Sequence, residues 1–112
     1  MIDINAEVEK TLSKLDYHTE YYYPQKFNDL PIVSFYNLTE SAAFGSDNEE
    51  DIQGGTVVID IWTDSPDKCG EIGLKVNDVM VGDDWCREFS RDIKPNNGIY
   101  HRTMRFTKNF VL

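Results

Sequence analysis

Positive charge is scarce in this chain: 11 Lys and Arg stand against 20 Asp and Glu, a formal net charge of −9. A protein that depends on attraction to phosphates needs the opposite balance, so a nucleic-acid binder of that kind is excluded. Cysteine is scarcer still. Cys69 and Cys86 alone cannot build the disulfide framework of a small secreted domain. Long apolar runs are also missing, with nothing near the roughly 20 residues that a membrane-spanning helix needs. Met1-Ile2-Asp3-Ile4-Asn5 has no basic-then-apolar signal, and the expectation is a protein made and kept in a cytoplasm. His18, Cys69, Cys86 and His101 are scattered singly, without the short spacing of a zinc site. Gly54-Gly55 lies among acids and precedes a strand pattern, so it does not form a phosphate-cradling loop.

What is present suffices for one core. Apolar residues make up 40% of 112, and 12% are aromatic, which fits a single domain spanning 1–112 and argues against wholesale disorder. The charge is uneven: residues 1–81 carry a net −11 and residues 82–112 a net +2. An acidic body with a mildly basic end suits stacking on copies of itself or on a polarised partner, although net charge also simply keeps a small domain soluble.

Ile4, Val8, Leu12 and Leu15 recur at helical spacing and predict an amphipathic helix over 4–15. Residues 16–29, with three consecutive tyrosines, Pro24 and Phe27, are expected to pack as a loop against the sheet edge. Ile32–Leu38 and Thr56–Thr63 are rich in β-formers and predict strands. Between them, residues 39–55 are polar and acidic and predict a long mobile loop. Ser65-Pro66-Asp67 supplies a cap, a first-turn proline and a first-turn acid, and Cys69, Ile72, Val76, Val79 and Met80 follow on one face. That second helix should stop at Gly82, and its Gly70 and Gly73 suggest close approach of another backbone. Trp85–Ile93 and Ile99–Thr107 predict two further strands, joined by a loop of four or five residues around Pro95-Asn96-Asn97-Gly98. The fold class is therefore α+β: a four-stranded, mostly antiparallel sheet packed with two helices in the order α-β-β-α-β-β.

No catalytic or metal-ligating set stands out, and no cofactor is implied. Ser46–Asp51 lacks the carboxylate and glycine pattern of an EF-hand. Asp83-Asp84 reads as a turn pair. A Cys86–His101 nucleophile pair is geometrically open if the last two strands are neighbours, but no orienting group or oxyanion site accompanies it. Asp60, between Ile59 and Ile61, is the oddest placement, because a buried acid in an apolar strand needs a partner. Arg102 or Arg105 is the expected partner, with Asp60 and Arg102 as a structural ion pair. Arg102 shares a face with Tyr100, Met104 and Phe106, and His101 falls on the opposite, polar face.

The N-terminal helix, Pro31-Ile32-Val33-Ser34-Phe35-Tyr36, the acidic stretch, Val58-Ile59-Asp60-Ile61-Trp62-Thr63, the second helix and Gly98-Ile99-Tyr100-His101-Arg102-Thr103-Met104-Arg105-Phe106 together resemble the tail-completion proteins of siphophages and prophages. These are also called tail terminator or tail-to-head joining proteins. The resemblance covers roughly residues 4–108. It implies a non-enzymatic virion assembly protein, monomeric in solution, that forms a ring, typically a hexamer, on the finished tail tube. Its partners would be its own copies, the tail tube protein and a head completion or connector protein. It would be found in the host bacterial cytoplasm during assembly and then in the virion tail, with DNA passing through the ring and no specific nucleic-acid or membrane binding. Carried onto this chain, residues 39–55 match the family's long loop, ordered only in the ring. Glu40, Asp47, Glu49, Glu50 and Asp51 are then candidate interface or channel residues, together with Arg102 and Arg105. The alternatives are another minor head–tail connector component, a regulatory module that binds a protein through a sheet edge or its tyrosines, and, least supported, a small-molecule enzyme. Tyr21-Tyr22-Tyr23-Pro24 lies outside the resemblance.

Overall fold

The computed structural model describes residues 1–44 and 50–112. The elements are α1 (Ile4–Leu12), β1 (His18–Tyr21), β2 (Ile32–Phe44), β3 (Glu50–Thr63), α2 (Pro66–Gly82), β4 (Cys86–Asn96) and β5 (Ile99–Val111). The class is α+β, as expected, but the sheet has five strands in the order β1-β2-β3-β5-β4 and is mixed rather than four-stranded. The added strand is β1, which runs parallel to β2 with His18 opposite Ile32 and Tyr21 opposite Phe35. It was hidden because His18-Thr19-Glu20-Tyr21 has little to bury and pairs at the edge through its backbone. All other pairings are antiparallel.

Both helices cover one face of the sheet. Asp3 caps α1 by accepting from the Ala6 amide at 3.2 Å, and Ser65 caps α2 by accepting from the Lys68 amide at 3.3 Å. Helix α1 stops at Leu12, three residues short of the expected end, and Leu15 still packs against the core from the turn beyond it. Ile4, Val8 and Leu12 from α1, and Cys69, Ile72, Val76 and Met80 from α2, meet Val57, Ile59, Ile61, Met104 and Phe106 of the sheet. Each large apolar side chain buried this way contributes about 1.5–3 kcal/mol before the entropy of ordering it is subtracted. The helices are also tied by their polar ends: Asp83 accepts from the Thr11 hydroxyl and from Lys14, both at 2.5 Å. These contacts hold the Asp83 carboxyl below the ordinary carboxylate range, Lys14 first and Thr11 next.

The expected loop over 39–55 is corrected by the structure. Residues 39–44 extend β2, and residues 50–55 begin β3. This stretch of β3 needs few apolar side chains because it has a strand on each side, Gly54 lying opposite Ser41 and Asn109. Its glycines are where the packing is tightest. A Cβ on Gly54 would sit 2.8 Å from Ser41 Oγ, and one on Gly55 would sit 2.9 Å from Ile4 Cδ1. Gln53, 1% exposed, exchanges two hydrogen bonds with the Ile2 backbone and fastens the N-terminus to this arm. Asp47 and Glu49 lie outside the described residues, and Glu50 opens β3.

The turn between β4 and β5 is also shorter than expected. It consists of Asn97 and Gly98, with φ of 53° and 75°, the two positive values that a type I′ hairpin requires. Pro95 belongs to β4, an edge strand, beside a register irregularity between Ile93 and Asn96, where a missing amide costs no ladder bond. In α2, Gly73 admits a side chain rather than a backbone: a Cβ there would lie 3.1 Å from Arg102 Cδ. Gly70 faces open space.

Candidate interaction face

The sheet face without helices carries the unusual chemistry. Strand alternation places Ser34 and Tyr36 of β2, Val58, Asp60 and Trp62 of β3, His101, Thr103 and Arg105 of β5, and Phe89 and Arg91 of β4 on this side. Because β1 and β2 are parallel, the chain must travel back the length of a strand to join them. That return, residues 22–31, crosses part of this face. Tyr22 stacks on Tyr36 with centroids 5.2 Å apart, and Tyr23 and Phe27 pack against Trp62 at 5.4 and 5.2 Å. Tyr22 takes a left-handed φ of 67° to make the turn out of β1. Tyr21, Tyr22 and Tyr23 still remain about half exposed.

Beneath this strap lies the one buried acid expected from the sequence. Asp60 is 1% exposed, and its Oδ1 is 2.5 Å from His101 Nε2. The expected partner, Arg102, is on the other face. Its guanidinium runs under α2 to Asp92 at 3.2 Å and Ser90 at 3.3 Å. The reason is register: Asp60 pairs with Thr103, so residues 101, 103 and 105 share its face and residue 102 does not. Trp62 sits directly opposite His101 and stacks on it at 3.7 Å with an interplanar angle of 15°. The Trp62 indole then donates to Ser34 Oγ at 2.9 Å. Asp60 Oδ2 has no hydrogen-bond partner among the described residues. A buried carboxylate held by one imidazole, itself held by one indole, makes a chain in which each group fixes the next.

Next to this covered region the face is open. Phe89 of β4 has two guanidinium groups within cation–π reach of its ring, Arg105 at 5.0 Å and Arg91 at 5.8 Å. Arg105 reaches the exposed Glu88 at 3.8 Å, and its Nε is buried without a partner. Burial pushes the Tyr36 phenol upward, Tyr23 and the Asp60 carboxylate add to this, and Arg105 opposes it.

A groove of about 420 Å³ borders the cluster at the β4–β5 turn, walled by Phe27, Trp62, Ile93, Ile99 and His101. Cys86 and His101 are not brought together. Cys86 pairs with Thr107, six residues along β5 from His101, or about 20 Å. Cys69 is buried beside the Thr63 hydroxyl at 3.2 Å, and burial raises its thiol pKa. Among the described residues, no three His, Cys, Asp or Glu side chains converge as a metal site would require. No helix there is long and apolar enough to cross a membrane. Of the candidate interface residues, Glu40 lies on β2 with its carboxylate held by Asn37 at 2.6 Å, and Asp51 is exposed at the far end of β3. Arg105 lies on the open face, and Arg102 lies half-buried against α2 on the other.

The aromatic–His–Asp cluster escaped a reading of the sequence except through Asp60. Its members come from four separated segments, and only the spacing of Asp60 with Trp62 was visible along one strand. The sequence matches no protein-family model and no curated protein.

Proposed function

We propose that this chain is a non-enzymatic assembly protein that caps the tail tube of a long-tailed phage and forms the tail-to-head joint as a ring. The observation that carries the reading beyond the sequence resemblance is the arm. Strands β2 and β3 run for 13 and 14 residues, and beyond Gly55 they pass the end of α1, in a molecule measuring 54 × 25 × 24 Å. Among the described residues the apolar core takes Val33 and Phe35 from β2 and Val57, Ile59 and Ile61 from β3, all from the inner half of these strands. A long extension and an uncovered sheet face suit a subunit that completes its contacts in an assembly. The ring, typically six copies, would form on the tube from monomers and present its other side to the head connector. An acidic lining would repel DNA and let it slide through.

The test is deletion of the gene from its phage or prophage, followed by electron microscopy of the induced lysate. Filled heads beside separate tails of abnormal or uncapped length are expected. Intact, normally joined particles would overturn the proposal. The half-exposed Tyr21, Tyr22 and Tyr23 favour one second reading, a module that holds a soluble partner protein through its aromatic strap. Normal particles together with a partner whose binding is lost on replacing those tyrosines would establish it.

A further inference from the structure

We propose that the groove at the β4–β5 turn is a binding site for a small aromatic carboxylate. The ligand's ring lies against Trp62 and Phe27, and its carboxylate sits between Lys94 and the free ring nitrogen of His101. The inference rests on the Asp60–His101–Trp62 chain and the groove beside it, and is independent of the tail-capping reading.

The imidazole is oriented and only partly covered. Its Nε2 is committed to Asp60 Oδ1, and one face of its ring is covered by Trp62 at 3.7 Å. Nδ1 makes no hydrogen bond to a described residue and is not buried, and the side chain as a whole is 13% exposed. Asp60 and Trp62 thus fix the ring from two sides and leave one polar atom for a ligand. A carboxylate set against Nδ1 favours the doubly protonated ring, in which that atom donates a charge-assisted hydrogen bond.

Charge and shape point to the same ligand. The chain carries 20 acids among 112 residues, yet none of the described acids lines this groove. Lys94 and His101 are the chargeable groups on its walls, and Asn96 and Asn97 add amides at the turn. Asp92, the neighbouring acid of β4, turns to the other sheet face, where Arg102 holds it at 3.2 Å. The remaining walls, Phe27, Trp62, Ile93 and Ile99, are apolar. A space of about 420 Å³ with apolar walls and a few convergent polar groups has the ordinary form of a small-molecule site. Phe27 and Trp62 are tilted by 54° with centroids 5.2 Å apart, so an aromatic guest can meet one by its face and the other by its edge.

Two-dimensional proton–nitrogen NMR of the full chain tests the proposal with indoleacetate and its uncharged analogue indoleacetamide as probes. Indoleacetate should shift the Trp62 indole and the Ile99 and His101 amides with a Kd of about 1 mM or tighter, a scale set by its few atoms. The Trp85 indole, 2% exposed in the core, should stay in place. Indoleacetamide should bind at least about tenfold more weakly, because it brings the same ring without the charge. Lys94→Glu, at an exposed position on an edge strand, should weaken indoleacetate by about tenfold and leave indoleacetamide unchanged. His101 is kept in this variant, because removing it strands Asp60. Three results would overturn the proposal: no shift at Trp62 with about 10 mM of either probe, equal affinity for the two, or indoleacetate binding that Lys94→Glu leaves unchanged. None of them touches the tail-capping reading, which stands or falls on the deletion lysate.

Discussion

Replacing His101 with alanine should cost this domain about 3 kcal/mol, the scale for leaving a buried carboxylate without its hydrogen-bond partner. The structure explains why the figure is so large. Asp60 is 1% exposed, its Oδ2 is already unpartnered, and the His101 ring supplies the bond to Oδ1 at 2.5 Å. Without the imidazole, the carboxylate keeps its desolvation and loses its compensation. The variant also loses the ring stacked on Trp62 at 3.7 Å, worth about a further 0.5–1.5 kcal/mol. A domain of this size is stable by about 5–15 kcal/mol in total, so the loss is a large fraction. Equilibrium urea unfolding at neutral pH, followed by tryptophan fluorescence, reads it directly. Asp60→Asn provides the control, since an amide in the same place strands no charge. In that background His101→Ala should cost at least about 2 kcal/mol less than in wild type, a coupling typical of contacting residues. Equal costs in the two backgrounds, or a loss below about 1 kcal/mol in wild type, would refute an Asp60 carboxylate held by His101.

Three further outcomes follow from the packing and the charges. Gly55→Val places side-chain atoms where a Cβ alone comes within 2.9 Å of the fully buried Ile4, and should lower stability by about 1–3 kcal/mol, measured by thermal unfolding. Asp83 has a folded pKa below its ordinary value, so its contribution is fully present above the unfolded pKa of about 4 and is lost as pH falls through the lower folded pKa. Asp83→Asn should therefore flatten the pH dependence of stability in that acid window, and a slope unchanged from wild type would contradict the Lys14 and Thr11 contacts. In the native protein a thiol reagent should label the exposed Cys86 and spare the buried Cys69 until the chain unfolds; mass spectrometry of labelled peptides distinguishes them.

The parts of the fold legible in the sequence were those written in one segment at a time. The helix α2 carried its own start in Ser65-Pro66-Asp67 and its apolar face in Cys69, Ile72, Val76, Val79 and Met80; the structure places the start as expected and buries all of that face but Val79, which is half-buried. Val57 through Trp62 alternated strongly enough to show a strand with Asp60 on one side. The short edge strand β1 had no such pattern, because it pairs through its backbone and buries little. The arm was equally hidden. Its glycines and polar residues read as a loop, and they are strand because β2 and β5 lie close on its two sides. Asn97-Gly98 carried the signal of a two-residue turn, but Pro95 obscured it until β4 was seen to be an edge.

The sequence by itself determined the α+β class, the capped second helix, the acidic body with a basic end, and the need of Asp60 for a partner. Composition and local periodicity act on neighbouring residues and require no knowledge of what lies across the sheet. The tertiary structure alone decided that the partner is His101 and that Arg102 turns away beneath α2. It also decided that Phe89, Arg91 and Arg105 gather on one open face. Each of these depends on strand register, and a shift of one residue in pairing exchanges the two faces of a strand.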